Sequence, residues 1–215
     1  PLKAVEFFKK TQVDALAISY GTMHGASKGK NVKLRRQIPI AIRECMAHEG
    51  ITGGLVSHGS STVPAYIVKE INTLGGDIQN AYGISIEELR EAISCGINKI
   101  NVDTDIRLAV TRNLKELFWG RPQLRESASV GDVYRLLEAN KDKFDPRVFL
   151  PPLMDTVMFG EVKDEDTQAV MECVEKGVKE VVGTLIVQFD AFGKAPLVER
   201  PTLEEMKEYY RKNEK

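Results

Sequence analysis

The sequence predicts an α/β fold built on a parallel sheet. Three short apolar runs, VDALAIS (13–19), GGLVSHG (53–59) and INKINVDTD (97–105), have the length and continuous hydrophobicity of buried parallel strands. Each run ends in a polar loop dense in Gly, Ser, His, Asp or Lys, and each is followed by a helical segment. In parallel folds, ligands gather where loops leave the C-terminal ends of strands.

The remaining elements follow in order. Residues 2–10 read as a helix with Leu2, Val5, Phe7 and Phe8 inward and lysines outward. A loop, GTMHGASKGK, fills 21–30 ahead of a helix over 34–49 that has Pro39 near its start. Pro64 opens a helix over 64–74, stopped by Gly75-Gly76. Ser85 and Glu88 have capping-box spacing for a helix that stops at Gly96. Further helices are expected over 106–118, 130–140, 163–191 and 202–212. Residues 119–130 and 144–152 read as irregular, exposed loops.

Composition bounds the function. With 215 residues, 42% apolar and 28% charged, the chain suits one domain, 1–215, with a sizeable core. A net charge of −1 gives no basic excess for nucleic acid and no acidic arm. No apolar run approaches the ~18 residues of a membrane span. PLKAVEFFKK lacks the apolar length of a secretory signal. Three widely spaced cysteines suit neither a disulfide framework nor a CxxC metal site, so a reducing cytoplasm is the expected location.

Three loops carry chemistry. His24 lies between Gly21 and Gly25, where glycines permit close backbone approach to a ligand. Lys28, slightly further on, suits a phosphate or an ordinary surface position. His58 occupies the corresponding place after the second strand, and Gly59, Ser60 and Ser61 can form an anion nest. Two imidazoles at matching strand ends favour a shared zinc ion over two structural histidines. His48, in RECMAHEG, reads as a helix-end surface residue. Asn101, Asp103 and Asp105 alternate, which places them on one side of an extended strand, at a cost unless they are paired or used. Asp105 also suits helix N-capping. Thr104 and Arg107 suit phosphate or a structural ion pair.

The blocks GTMHGASK, LVSHGSSTVP and KINVDTDIRLA, in this order and spacing, resemble those of class II, metal-dependent fructose-bisphosphate aldolases. FDPRVFL and VQFDAFGKA resemble the family's later blocks, so the likeness runs from residue 2 to about 195. The resemblance implies a zinc-dependent (β/α)₈ TIM barrel that cleaves fructose 1,6-bisphosphate to dihydroxyacetone phosphate and glyceraldehyde 3-phosphate in glycolysis. It implies His24 and His58 as two of three zinc ligands, and a Na⁺ or K⁺ ion held near them. Gly25, Lys28, Gly59, Ser61, Asp103 and Thr104 would line phosphate sites, with Arg107 at the second phosphate. Asn101 would contact the reacting oxygens, as the catalytic residue within this chain. The family is dimeric or larger, and Arg147 would reach into a neighbouring subunit's site.

The family's third zinc histidine, its catalytic aspartate and a glutamate-bearing loop have no counterpart in these residues. Three strand units stand where a barrel needs eight, and the chain opens on Pro1. The expectation is therefore the C-terminal part of a barrel, strands six to eight, active only with the strands that precede them. Tagatose-bisphosphate aldolase shares the same blocks. A non-catalytic, phosphate-binding half-barrel is the reading of a different class. A metal-free sugar-phosphate isomerase is weaker, because it would not need paired histidines.

Overall fold

A computed structural model describes residues 1–26, 29, 32–160, 162, 164–199 and 201–213. In chain order the elements are α1 (Leu2–Thr11), β1 (Ala15–Ala17), α2 (Gln37–His48), β2 (Gly54–Ser57), α3 (Ala65–Thr73), α4 (Ile86–Ser94), β3 (Lys99–Ile100) and α5 (Thr104–Gly120). The helices α6 (Gly131–Ala139), α7 (Pro146–Phe149), α8 (Met154–Phe159), α9 (Glu165–Gln188) and α10 (Leu203–Asn213) complete the chain.

The described strands form one parallel sheet in the order β1-β2-β3, with Ala17 opposite Val56 and Ser57 opposite Ile100. β2 is central, and Leu55, Val56 and Ser57 are buried. β1 was expected to be covered on both faces, yet Ala15 and Ala17 are exposed. Within the described sheet β1 pairs on one side only, and small alanines leave its faces open to solvent. The third apolar run is strand over just two residues, because the chain turns into α5 at Thr104. Asn101, Asp103 and Asp105 therefore do not alternate on one strand face. Asp103 is the N-cap of α5 and Asp105 lies in its first turn.

Val5 and Phe8, three residues apart on α1, join the core beside Leu55, whereas Phe7 and Leu2 are exposed. Phe7 lies about 100° around the helix from Phe8, and Leu2 projects from the open first turn. Pro39 sits in the first turn of α2, where its missing N–H costs no helical bond. Past α3 the chain closes as the glycine pair predicts: Gly76 N–H donates to Ile71 O at 2.9 Å. Ser85 Oγ accepts from Glu88 N–H at 3.2 Å, but the reciprocal half of the capping box is not made. The Glu88 carboxylate instead accepts from Leu34 N–H and Lys33 Nζ, both at 2.9 Å, tying the loop before α2 to α4.

The C-terminal helices form a second core around α5. Gly177 lets α9 lie against α5, since a Cβ there would come within 2.9 Å of Val110 N. Residues 119–130 are not a solvated excursion. They hold a short 3-10 turn, Pro122–Glu126, and bury Leu124 and Val130 against Leu114, Phe118 and Val133. Ser127 Oγ and Ser129 Oγ donate to Asp166 and Asp164 at 2.6 Å each, fastening this segment to the start of α9. Residues 144–152 are likewise ordered, as α7 and the start of a second 3-10 turn, Pro151–Leu153. Among the described residues no helix is long and apolar enough to cross a membrane.

Candidate functional site

The loops after β1 and β2 meet above the sheet. His58 directly follows β2, and Gly59 adopts φ 64°. A Cβ at Gly59 would sit 2.7 Å from the Met23 carbonyl carbon and oxygen and 3.0 Å from His24 N. Only glycine allows the two loops to approach so closely. The consequence is that the exposed His24 and His58 rings lie 5.8 Å apart between centroids, tilted by 46°.

From the third strand, Asn101 N–H donates to Ser57 O at 2.9 Å, which sets the Asn101 side chain beside His58. Its Nδ2 is 3.0 Å from His58 Nε2. Three consecutive parallel strands thus deliver His24, His58 and Asn101 to one place. Beneath them runs a buried hydroxyl chain: Tyr20 Oη bonds Ser57 Oγ, which lies 2.6 Å from Ser60 Oγ. Burial pushes the Tyr20 phenol above its ordinary range, outweighing the Ser57 bond, so it stays neutral.

The loop of 60–63 is locked to the start of α5. Asp103 N–H and Thr104 N–H donate to Ser61 Oγ at 3.2 and 3.0 Å. In the other direction, the buried Asp105 carboxylate accepts from Thr62 N–H at 2.9 Å, Thr62 Oγ1 at 2.7 Å and Val63 N–H at 2.8 Å. Val63 has φ 50°, a left-handed conformation that β-branched residues rarely adopt. The Asp105 bonds hold that turn in place. Asp105 thus caps a neighbouring loop and not its own helix.

Arg107 bridges two carboxylates. It contacts Asp103 through Nε at 2.8 Å and Nη2 at 2.7 Å, and Asp145 through Nη1 at 2.6 Å. Arg147 lies on the same Asp145, with Nη2 at 2.6 Å. The Arg147 side chain, then against it burial, then the Arg147 amide and Arg107 together hold Asp145 below the usual carboxylate range. Both arginines are therefore engaged within this chain, and Asp103 is exposed at the rim. Gly25 has φ 93° and open space at its Cβ position. Lys28 lies outside the described residues. His48 is exposed at the end of α2, as expected.

Among the described residues no group of three His, Cys, Asp or Glu converges as a metal site. The His24–His58 pair offers two imidazoles, the nitrogen donor type that a tetrahedral zinc set uses. It does not make a complete set. A cavity of about 770 Å³, lined by Val63, Tyr66, Tyr82 and Leu185 among others, includes neither histidine. Its two buried acids are already engaged, Glu88 with Leu34 and Lys33 and Asp105 with Thr62 and Val63.

Sequence reasoning did not find Asp145 as the hub between two arginines, nor the clamp made by Asp105, nor the chain through Tyr20, Ser57 and Ser60. The Asp145-Pro146 pair was the available signal for the first, since Asp before Pro is a helix-start pattern.

The sequence profile of class-II fructose-bisphosphate aldolases matches residues 1–194. The chain belongs to this family. A fructose-bisphosphate aldolase of Xanthobacter flavus is 41% identical over 156 residues, covering 72% of this chain and 38% of the relative. One from Nostoc sp. is 33% identical over 214 residues, covering 100% of this chain and 48% of the relative. A class 2 fructose-bisphosphate aldolase of Synechocystis sp. is likewise 33% identical over 214 residues, with 48% of that protein covered. The chain thus spans about half, or less, of the length of these aldolases.

Proposed function

We propose that this chain supplies strands six to eight of a class II aldolase barrel, together with two zinc ligands and most of the phosphate cradle. The activity would be cleavage of fructose 1,6-bisphosphate to dihydroxyacetone phosphate and glyceraldehyde 3-phosphate. The observation that carries this reading is the convergence of His24 and His58 from adjacent parallel strands, with Asn101 alongside.

In this reading His24 and His58 hold the zinc, and the remaining ligand and the acid–base group come from strands outside this chain. A bound zinc supplies Lewis-acid polarisation of the substrate ketone. Asn101, whose amide meets His58 at the point of convergence, positions the reacting hydroxyl. Gly25, Gly59, Ser61, Asp103 and Thr104, gathered at the start of α5, line one phosphate site, favoured by the helix dipole. Lys28 adds charge to that cradle, and backbone groups beside the histidines hold Na⁺ or K⁺. Arg107 takes the second phosphate once it exchanges Asp103 for the substrate. Arg147, exposed and oriented by Asp145, serves the neighbouring subunit of a cytoplasmic homo-oligomer. Remote phosphate binding of this kind fixes the reacting carbons in place.

The test is a coupled assay of dihydroxyacetone phosphate release. It compares this chain alone with the chain mixed with a polypeptide carrying strands one to five of a class II aldolase. Zinc-dependent turnover only in the mixture, lost in His58→Ala, supports the proposal. Chelator-resistant turnover contradicts it. A preference for tagatose 1,6-bisphosphate assigns the reaction to the other sugar.

A second reading, a non-catalytic phosphate-binding half-barrel, is favoured by one observation. The described sheet has two open edges and exposed alanines on β1. Turnover by the chain alone contradicts that reading.

A further inference from the structure

The lower half of α5 carries a buried charge that the aldolase reading does not use. Lys115 is 98% buried at its side chain, yet its ammonium has no hydrogen-bond partner among the described residues. The nearest acid, Glu138, has Oε1 4.0 Å away, while its Oε2 lies 3.3 Å from Lys141 Nζ. Burial pushes the Lys115 pKa down, Glu138 pulls it back up and Lys141 adds to the fall. An ammonium that gives up three hydrogen bonds to water without replacement is costly, so it calls for an acceptor.

Lys115 is among the residues that line a cavity of about 280 Å³. Lys115, Arg125 and Glu138 supply its charge, and Trp119 and Tyr134 supply aromatic surface. Arg125 is fixed there: its Nε donates to Phe118 O at 2.9 Å and its guanidinium lies 5.1 Å from the Tyr134 ring centre. Trp119 is 69% exposed, an uncovered indole at the cavity mouth. Along α5, Lys115 is roughly 16 Å from Thr104 at 1.5 Å per residue, so this cavity is separate from the histidine pair.

The charge pattern sets the ligand class. Two cations face one carboxylate and the C-terminal turn of α3, whose carbonyl end carries partial negative charge. That balance accepts one negative charge and disfavours two. We propose that this cavity binds a small monocarboxylate, its oxygens taken by Lys115 and its planar or apolar body resting on Trp119.

Trp119 is the single tryptophan of the chain, so its emission reports on this cavity alone. The experiment titrates the full chain with benzoate, with benzyl alcohol as the neutral counterpart and with inorganic phosphate. The expected result is a saturable change with benzoate and at least tenfold weaker responses to the other two. Lys115→Met, which removes an unpaired buried charge and is expected to fold at least as well by thermal melt, should weaken benzoate binding at least tenfold. Glu138→Gln, which removes the competing carboxylate, should strengthen it. A non-saturating benzoate response, an unchanged Lys115→Met titration, or equal binding of benzyl alcohol or phosphate would overturn the proposal.

Discussion

Gly59 and Met23 pack backbone against backbone, with room for a hydrogen but not a methyl group: a Cβ on residue 59 would lie 2.7 Å from the Met23 carbonyl. This contact is what sets the spacing of the neighbouring histidines. Gly59→Ala adds a left-handed penalty of roughly 1–2 kcal/mol and overpacking of roughly 1–3 kcal/mol. The expected outcome is a urea midpoint lowered by the equivalent of about 2 kcal/mol or more, with weaker zinc binding. Unchanged zinc affinity in a destabilised variant would separate the packing from the pairing of His24 with His58.

Asp105→Ala leaves three donors of Thr62 and Val63 without their acceptor. Buried unsatisfied groups cost about 1–3 kcal/mol each, so a loss of about 3 kcal/mol is expected in equilibrium unfolding. Asp105→Asn, which keeps one oxygen, should lose less. A change within about 0.5 kcal/mol would mean the 60–63 loop does not depend on this clamp.

Glu88 gives the fold an acid-side dependence. Its carboxyl lies below the ordinary range, chiefly through the Leu34 N–H bond, with burial opposing and Lys33 assisting. A depressed folded pKa contributes stability that is complete above the unfolded value, about 4.3 for Glu, and is lost as pH falls through the lower folded value. Stability of the chain should therefore drop on acidification below about pH 4.5. Glu88→Gln should be less stable at neutral pH and show a shallower acid limb, measured by urea unfolding across pH. Parallel acid limbs for the two proteins would exclude Glu88 as a contributor.

Leu124 is 3% exposed inside a segment whose sequence reads as solvated. Leu124→Ala should cost about 2–4 kcal/mol, as for other buried leucines. A cost below about 0.5 kcal/mol, the range for surface positions, would restore the reading of 119–130 as an exposed loop.

The contrast between legible and illegible features follows from what a sequence encodes locally. The meeting of His24 and His58 was legible because each follows an apolar run and is next to a glycine, although His24 lies seven residues past β1 and His58 directly after β2. The helix stops at Gly75-Gly76 and Gly96 were legible because a positive φ is a local demand. The strand lengths were not. Apolar character continues past the last ladder bond, so 13–19 reduces to Ala15–Ala17 and 97–105 to Lys99–Ile100. The Asp103/Asp105 alternation failed for the same reason, since period two has meaning only while the backbone stays extended. The Arg/Ser-rich 119–130 segment misled because polar residues outnumber its few apolar ones, Leu124 and Val130, which nevertheless pack against α5 and α6. Arg107 was left between phosphate and ion pair, and its partner Asp145, 38 residues away, could not be read from spacing.

The most direct test of the paired imidazoles uses the fact that the chain has three histidines. Zinc is titrated into the full chain while the ring C–H resonances of His24, His48 and His58 are followed by NMR, with assignments from His→Ala variants. The expected result is that His24 and His58 respond together at the same zinc concentration while His48 stays unchanged, and that His24→Ala abolishes the His58 response. Independent responses of His24 and His58, or a His48 response at equal zinc, would contradict a shared metal position at the ends of β1 and β2.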